Sequence, residues 1–218
     1  MLENKPWDHF VKEILTGSGS NFSNGPANYW VIHDEASKAA ENITLTFLGI
    51  SVACARCHNH PLDKWTQNDY YGLASFFSRV GRKPGDLRDL IIFESQTGGI
   101  KHPELDRALP PRPLGGEPLA PEISGNLRFH FANWLTSSEN RYFLRATVNR
   151  IWQHFFGRGL VEPVDDMRQT NPASNEALMA ALIQDFINHR FDVQHLIRTI
   201  MNSATYQASA EGRGLGPL

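Results

Sequence analysis

The chain has 218 residues, with 21 Lys and Arg against 23 Asp and Glu, so its net charge is -2 at neutral pH. Its composition is that of an ordinary globular protein, large enough to bury a core without a metal or disulfide to hold it together. There is no basic stripe of the kind that marks a nucleic-acid binder, and no apolar run near the roughly 20 residues needed to span a bilayer.

Helical signals dominate. Pro6 stands where a helix can begin, and Phe10, Ile14 and Leu15 form a short apolar stripe up to Gly17. Residues 17–30 are rich in Gly, Ser and Asn and read as a loop. Asp34 is placed to cap a helix from about Glu35 to Gly49, with Ala36, Ala39, Ala40, Ile43, Phe47 and Leu48 on its inner side. That helix leads into Cys54. Pro61 then breaks the chain, and Thr66 with Asp69 forms a capping-box pattern ahead of a third helix bearing Tyr70, Leu73, Phe76 and Phe77. Leu90–Phe93 and Ile100 flank Gly98-Gly99 and predict one short hairpin. Residues 103–125 hold six prolines and three glycines and read as a linker or extended strap. Four helical stretches follow: Leu127 to Leu135, Asn140 to Phe156 ending at Gly157, Asn175 to His189, and a last helix capped by Asp192. The tail from Ala208 is small and polar and is expected to fray. The fold expected is mainly α: a helical two-part protein with long loops and at most one short β-hairpin, divided as 1–102, a linker over 103–125, and 126–218.

The chain has only two cysteines, and both lie in Cys54-Ala55-Arg56-Cys57-His58. Two thiols at this spacing reach the two vinyl groups on one edge of a porphyrin, and an imidazole immediately after can turn onto the iron. Cys54 and Cys57 are therefore candidate haem c attachment residues, with His58 as proximal ligand. A thioredoxin-like pair would need a preceding strand, whereas a helix is predicted there. A zinc site needs four ligands, of which Cys54, Cys57 and His60 supply three and Asp63 or a distant His the fourth. A plain structural pair of cysteines is the remaining reading. His60 reads as a haem-propionate partner, proton relay, second metal ligand or backbone-bonded loop residue; Asp63 either orients it or caps the next turn. The sixth iron ligand has six candidates: His102, His130, His154, His195, Met167 and Met201. Of these, Met201 and His154 read as interior packing residues, and an open sixth position is the further alternative.

The second half carries Arg145, Asn149, Arg150 and Trp152, then Glu162, Asp165, Asp166 and Arg168. Two acids can serve acid–base work on a sugar, but adjacent residues rarely aim both carboxylates into one cleft. The favoured reading is an Arg–Asp network pinning the 158–170 loop to the long helix.

The stretch Phe47-Leu48-Gly49-Ile50 with CARCHNHPLDKWTQNDYYGLASFF (54–77) resembles the C-terminal part of the planctomycete cytochrome-associated domain of unknown function, PSCyt type two. Pro110-Pro111-Arg112, residues 134–168 and residues 195–207 resemble its usual partner, the PSD type one domain. The resemblance covers almost the whole chain. It implies an exported, periplasmic or extracellular protein encoded near polysaccharide-degrading enzymes, with no assigned activity. It also implies a site at Cys54, Cys57, His58 and His60. The chain departs from the family at Asn140-Arg141, where Asn-Pro is usual, and at Ser174-Asn175-Glu176, where Ser-His-Pro is usual, so no histidine role carries over to position 175.

The start, from Met1 to Phe10, lacks a basic and an apolar signal-peptide region, and the resemblance begins inside the first domain. The expectation is a fragment whose N-terminal half, with the export signal, lies outside it. Haem c is attached outside the cytoplasm, so without export the motif would stand empty.

The reading is an exported haem c redox protein, or the haem-bearing part of one, serving extracellular polysaccharide breakdown. Its partners would be a redox protein or polysaccharide-degrading enzymes. The alternatives are a Zn- or Ca-dependent glycan hydrolase or lyase using Cys54, Cys57, His58, His60 and Asp63, and a non-catalytic scaffold module.

Overall fold

A computed structural model describes residues 3–120, 122–123 and 125–208. The expected fraying tail lies, beyond Ala208, outside the described residues. The protein is mainly α-helical, with one small antiparallel sheet.

Helix α1 (Trp7–Thr16) starts directly after Pro6, whose fixed φ of -53° suits a helix entrance, and ends at Gly17. Its Val11 and Leu15 are fully buried. The Gly/Ser/Asn segment is more ordered than expected. It contains strand β1 (Gly19–Ser20) and helix α2 (Ala27–Ile32), which Pro26 introduces and which buries Trp30.

The third helix also departs from expectation. Asp34 lies one residue too early to cap it, and α3 (Ala36–Ile43) begins after Glu35 with no side-chain cap. At Thr44 it widens into a π-helical turn, Thr44–Leu48. The Thr44 hydroxyl donates back to the carbonyls of Ala40 (3.0 Å) and Glu41 (3.1 Å), a bond that loosens the α ladder. Gly49 then ends the element at φ +63°. A Cβ there would stand 2.7 Å from Met167 Cγ.

The expected capping box is present. Thr66 accepts from the Asp69 N–H and Asp69 accepts from the Thr66 N–H, opening α4 (Gln67–Ser75). The hairpin is displaced from its expected place. Strand β3 (Leu90–Glu94) pairs backward with β2 (Val80–Pro84), not forward across Gly98-Gly99, and β1 adds to its other edge in the order β1-β3-β2. Residues 98–108 instead form a loop closed by an isolated bridge between Lys101 and Ala108.

The Pro/Gly-rich segment lies against α4: the Arg112 N–H donates to the Gly72 carbonyl (3.0 Å), Arg112 approaches Asp69 (3.7 Å), and Leu114 is buried. Beyond it the Asp192 cap acts as predicted, and three asparagines do the same at earlier helices. Asn126, Asn140, Asn175 and Asp192 each accept a backbone N–H at the start of α5 (Leu127–Leu135), α6 (Arg141–Phe156), α7 (Glu176–Asn188) and α8 (Val193–Met201). A short α9 (Ala204–Gln207) follows.

One hydrophobic cluster runs from Val11 to Ile200 and draws on both halves of the chain. Trp7 shows the intermeshing: its indole N–H donates to Thr147 Oγ1 on α6 (3.1 Å), while its backbone N–H donates to the Phe191 carbonyl (3.0 Å). Arg150 of α6 binds Asp165 and the carbonyls of Leu45 and Thr46 in the π turn, the Leu45 carbonyl also accepting the Gly49 N–H (3.2 Å).

Gly49→Ala should destabilise the protein by about 2–4 kcal/mol, through left-handed backbone strain plus the clash with Met167. The urea midpoint of unfolding measures this, and an unchanged midpoint would refute the account of the turn.

Candidate functional site

The motif sits on a single 3-10 turn, Ala53–Arg56, entered through the buried residues Ile50 and Val52. Ala55 is buried and anchors the turn, while Cys54 and Cys57 on either side of it are exposed and unpaired. The Cys57 and His58 N–H groups both point back to the Cys54 carbonyl, at 3.3 and 3.4 Å. Helix α4 holds the turn from beneath. The Arg56 carbonyl accepts from Gln67 Nε2 (3.0 Å) and Tyr71 Oη (3.3 Å), and Asn59 Oδ1 accepts from the Gln67 N–H (3.1 Å). A bond from the His60 N–H to the Trp65 carbonyl (2.8 Å) closes the loop beyond.

Hydrogen bonds fix the state of both motif histidines. His58 Nδ1 lies 2.8 Å from the Asn59 carbonyl, which can only accept, so Nδ1 carries a proton and Nε2 is the nitrogen left to meet a ligand. His60 is the reverse. Its Nδ1 accepts from the Leu62 N–H (3.2 Å), so its proton is on Nε2. Asp63 accepts from the Lys64 N–H (2.7 Å), and its charge acts on Arg168 of the second half. The ring nitrogen of His60 that is bonded is thus oriented by backbone.

A cavity of about 420 Å³ opens beside the motif, lined by Cys57, His58, Asn59, Gln67, His102 and Glu104 among others. Of the six sixth-ligand candidates, His102 lines this cavity. It is 2 % exposed, and its Nδ1 accepts from the N–H groups of Glu104 and Leu105, which leaves the proton on a buried Nε2 with no partner. His130 and His154 are exposed on α5 and α6. His154 is therefore not the interior residue expected, because it falls on the solvent side of α6. Met201 likewise is 40 % exposed, not core. Met167 is buried against Gly49, and His195 is bonded to Asp185.

Residues 1–82 match the family model PSCyt2, a protein of unknown function (DUF1549), and residues 127–214 match PSD1, a protein of unknown function (DUF1553). The chain carries both domains. No curated protein and no solved structure matches it.

The PSD1 segment faces the PSCyt2 motif loop with its 158–172 loop. Buried Asn149 pins that loop to α6, donating to the carbonyls of Val161 (2.9 Å) and Val164 (3.3 Å) and accepting from the Val161 N–H (2.9 Å). The carboxylates of Asp165 and Asp166 diverge, one to Arg150 and the other to Arg168 at 2.6 Å. They form structural ion pairs, and no acid–base pair assembles between them. Glu162 accepts from the Gly159 N–H, and Trp152 stacks on Phe156. The hydrogen bonds from Arg168 hold the Asp166 carboxyl below its ordinary value.

Between motif loop and PSD1 loop lies a cavity of about 340 Å³, lined in part by Lys64, Arg141, Arg145, Arg168 and Glu176. The sequence reading did not anticipate it, because its cations come from three separate elements. Arg145 grips Glu176 with two bonds, at 2.7 and 2.9 Å, and a further bond from the Ala173 N–H brings the Glu176 carboxyl from 4.5 to about 2. A depressed carboxyl contributes its stability above its unfolded value and loses it as pH falls through the folded one. Glu176→Gln should therefore remove part of the acid-side loss of stability between about pH 4.5 and 2, read as a shallower fall in melting temperature over that range. An identical pH profile in the variant would refute the pairing.

Proposed function

We propose that the chain is the haem-bearing part of an exported redox protein, with thioethers at Cys54 and Cys57 and His58 Nε2 on the iron. The observation that carries the reading is the joint state of these three side chains. Both thiols are unpaired and exposed on one turn, and the His58 Nδ1 proton is committed to a backbone carbonyl. That is the arrangement by which an imidazole is oriented as a ligand through its other nitrogen. Each Cys S–H adds across one vinyl group, its sulfur to carbon and its proton to the neighbouring carbon, with no leaving group. When bound, the haem supplies one-electron chemistry.

The cavity beside the motif is polar, lined by Asn59, Thr66, Gln67, Asn68 and Glu104 as well as the motif residues. A haem held there keeps an edge in water. Water favours the more highly charged oxidised form, so the potential would lie below that of an enclosed haem with the same ligands. An exposed edge also suits electron exchange with a docked protein. The link to extracellular polysaccharide breakdown rests on the family resemblance.

A zinc or calcium site at the motif has less support. His60 would have to give up its Leu62 bond and change tautomer to offer Nε2. Among the described residues, the motif side chains do not form a group of three or more donors within 4.8 Å of one another.

Fused to an export leader and produced with a haem-maturation system, the protein should show a Soret band that survives denaturation and acid–acetone extraction. Its intact mass should rise by one haem. Cys54→Ser and Cys57→Ser should each leave at most one thioether, and His58→Ala should keep the covalent haem but shift its spectrum. A colourless product of unmodified mass would overturn the reading.

A further inference from the structure

The corner between α7 and α8 gathers three side chains that the haem reading does not use. Helix α7 ends at His189, and the chain turns through Arg190 and Phe191, both left-handed at φ 54° and 60°. Consecutive left-handed non-glycine residues are costly and persist only where packing enforces them. Here Phe191 packs on Phe186 and Phe143, its N–H donates to the Phe186 carbonyl (2.9 Å), and its carbonyl holds the Trp7 N–H (3.0 Å). Asp192 then caps α8 through the His195 N–H (2.8 Å).

The result is a tight cluster. The rings of His189 and His195 stack with centroids 3.5 Å apart and 17° between planes. Asp185, one turn earlier on α7, approaches both: its Oδ1 is 3.1 Å from His189 Nδ1 and its Oδ2 is 2.8 Å from His195 Nε2. Thr199 Oγ1 lies 3.3 Å from His195 Nε2. One donor atom from each of Asp185, His189 and His195 falls within 4.8 Å of the other two.

We propose that Asp185, His189 and His195 bind one divalent ion of the zinc class, with a water in the fourth position. Two imidazoles and one carboxylate suit zinc, cobalt, nickel or copper, and not calcium or magnesium, which prefer oxygen donors throughout. Ligands about 2.0–2.2 Å from a tetrahedral ion stand roughly 3.3 Å apart. The two carboxylate–imidazole separations, 3.1 and 2.8 Å, are close to that, while the stacked rings must turn out of parallel for both in-plane lone pairs to meet one ion. On binding, His189 Nδ1 gives up its 2.9 Å bond to the Asp185 backbone carbonyl and His195 Nε2 its bond to the Asp185 carboxylate, the protons move to the outer nitrogen of each ring, and the ion takes their place. The side chains are 29–46 % exposed, which leaves the fourth position open to solvent. Three protein ligands and one water is the coordination of a reactive zinc centre, not of a closed structural one.

The test uses the full chain carrying Cys54→Ser and Cys57→Ser, so that thiolate cannot contribute. Cobalt(II) should bind one equivalent with visible d–d absorption, be displaced by zinc, and raise the melting temperature. Asp185→Asn and His195→Gln should weaken binding by about tenfold or more, while circular dichroism and melting in EDTA stay near the parent. His189→Ala, at an exposed ring, gives the same readout with the least risk to folding. Absence of saturable binding in the Cys-free chain, or undiminished binding in His189→Ala and Asp185→Asn, would overturn the site. Neither result bears on covalent haem at the motif.

Discussion

Arg128 brings a positive charge into the interior of the protein, and the joint between the two domains is built around it. The residue is fully buried. Its guanidinium donates to the Gly17 carbonyl at the end of α1 (2.8 Å), lies 3.4 Å from Glu94 at the end of β3, and stands 4.9 Å over the Trp30 ring of α2. Burial pulls the guanidinium below its ordinary value and pushes Glu94 above the usual carboxylate range; each charge opposes the shift of the other. An ion pair of this kind adds little net stability over apolar packing, because desolvation cancels most of the attraction. It does set the registry. Separating α5 from α1, α2 or β3 would leave one of these charges with fewer partners in a dry interior.

Buried or half-buried arginines also tie two other helix ends to distant parts of the chain. Arg82 on β2 donates to the carbonyls of Trp30 (2.7 Å) and His33 (2.8 Å) at the end of α2. Arg150 of the PSD1 segment donates to the Leu45 and Thr46 carbonyls of the PSCyt2 π turn. Each arginine supplies donors that the local sequence lacks, and each comes from a distant part of the chain. The motif inherits its position from these clamps: Gly49 is held by Met167, whose N–H donates to its carbonyl (2.9 Å), and Ile50 to Val52 run from there directly into Cys54. The PSD1 domain thus fixes the stem from which the PSCyt2 motif projects.

This explains which parts of the fold were legible in the sequence. Helices α4 to α8 were, because each starts on a side chain that caps its own backbone, and Gly157 marks the end of α6. The helix from Ala36 was legible in its end at Gly49 but not in its start, where Asp34 does not cap it, nor in the π turn Thr44–Leu48, to whose Thr46 carbonyl Arg150 donates from 104 residues away. The hairpin was misplaced for a related reason. Strand β3 has an apolar signal, but Val80-Gly81-Arg82-Lys83-Pro84 has none, being half-buried to exposed along its length. Pro84-Gly85-Asp86 was the available sign of the true turn. At the corner of α7 and α8, Asp185, His189 and His195 lie on two helices, and nothing in their spacing foretells that two left-handed residues fold one ring onto the other.

The motif itself makes the sharpest contrast with the rest of the molecule. A free cysteine behaves as a small hydrophobe and is among the most often buried residues. Here Ala55, between the two cysteines, takes the buried place, and both thiols are turned outward. Packing does not require them: the turn is anchored by Ala55 and by the bonds from Gln67 and Tyr71, all of which would survive with serine at 54 and 57. Nor does a disulfide account for them, since the sulfurs are unpaired. When neither burial nor crosslinking explains a cysteine, its reactivity is what remains. Beside it stands an imidazole, His58, whose Nδ1 is bonded to the Asn59 carbonyl. Two exposed thiols and a backbone-bonded imidazole thus project from a turn that Gln67 and Tyr71 hold from beneath.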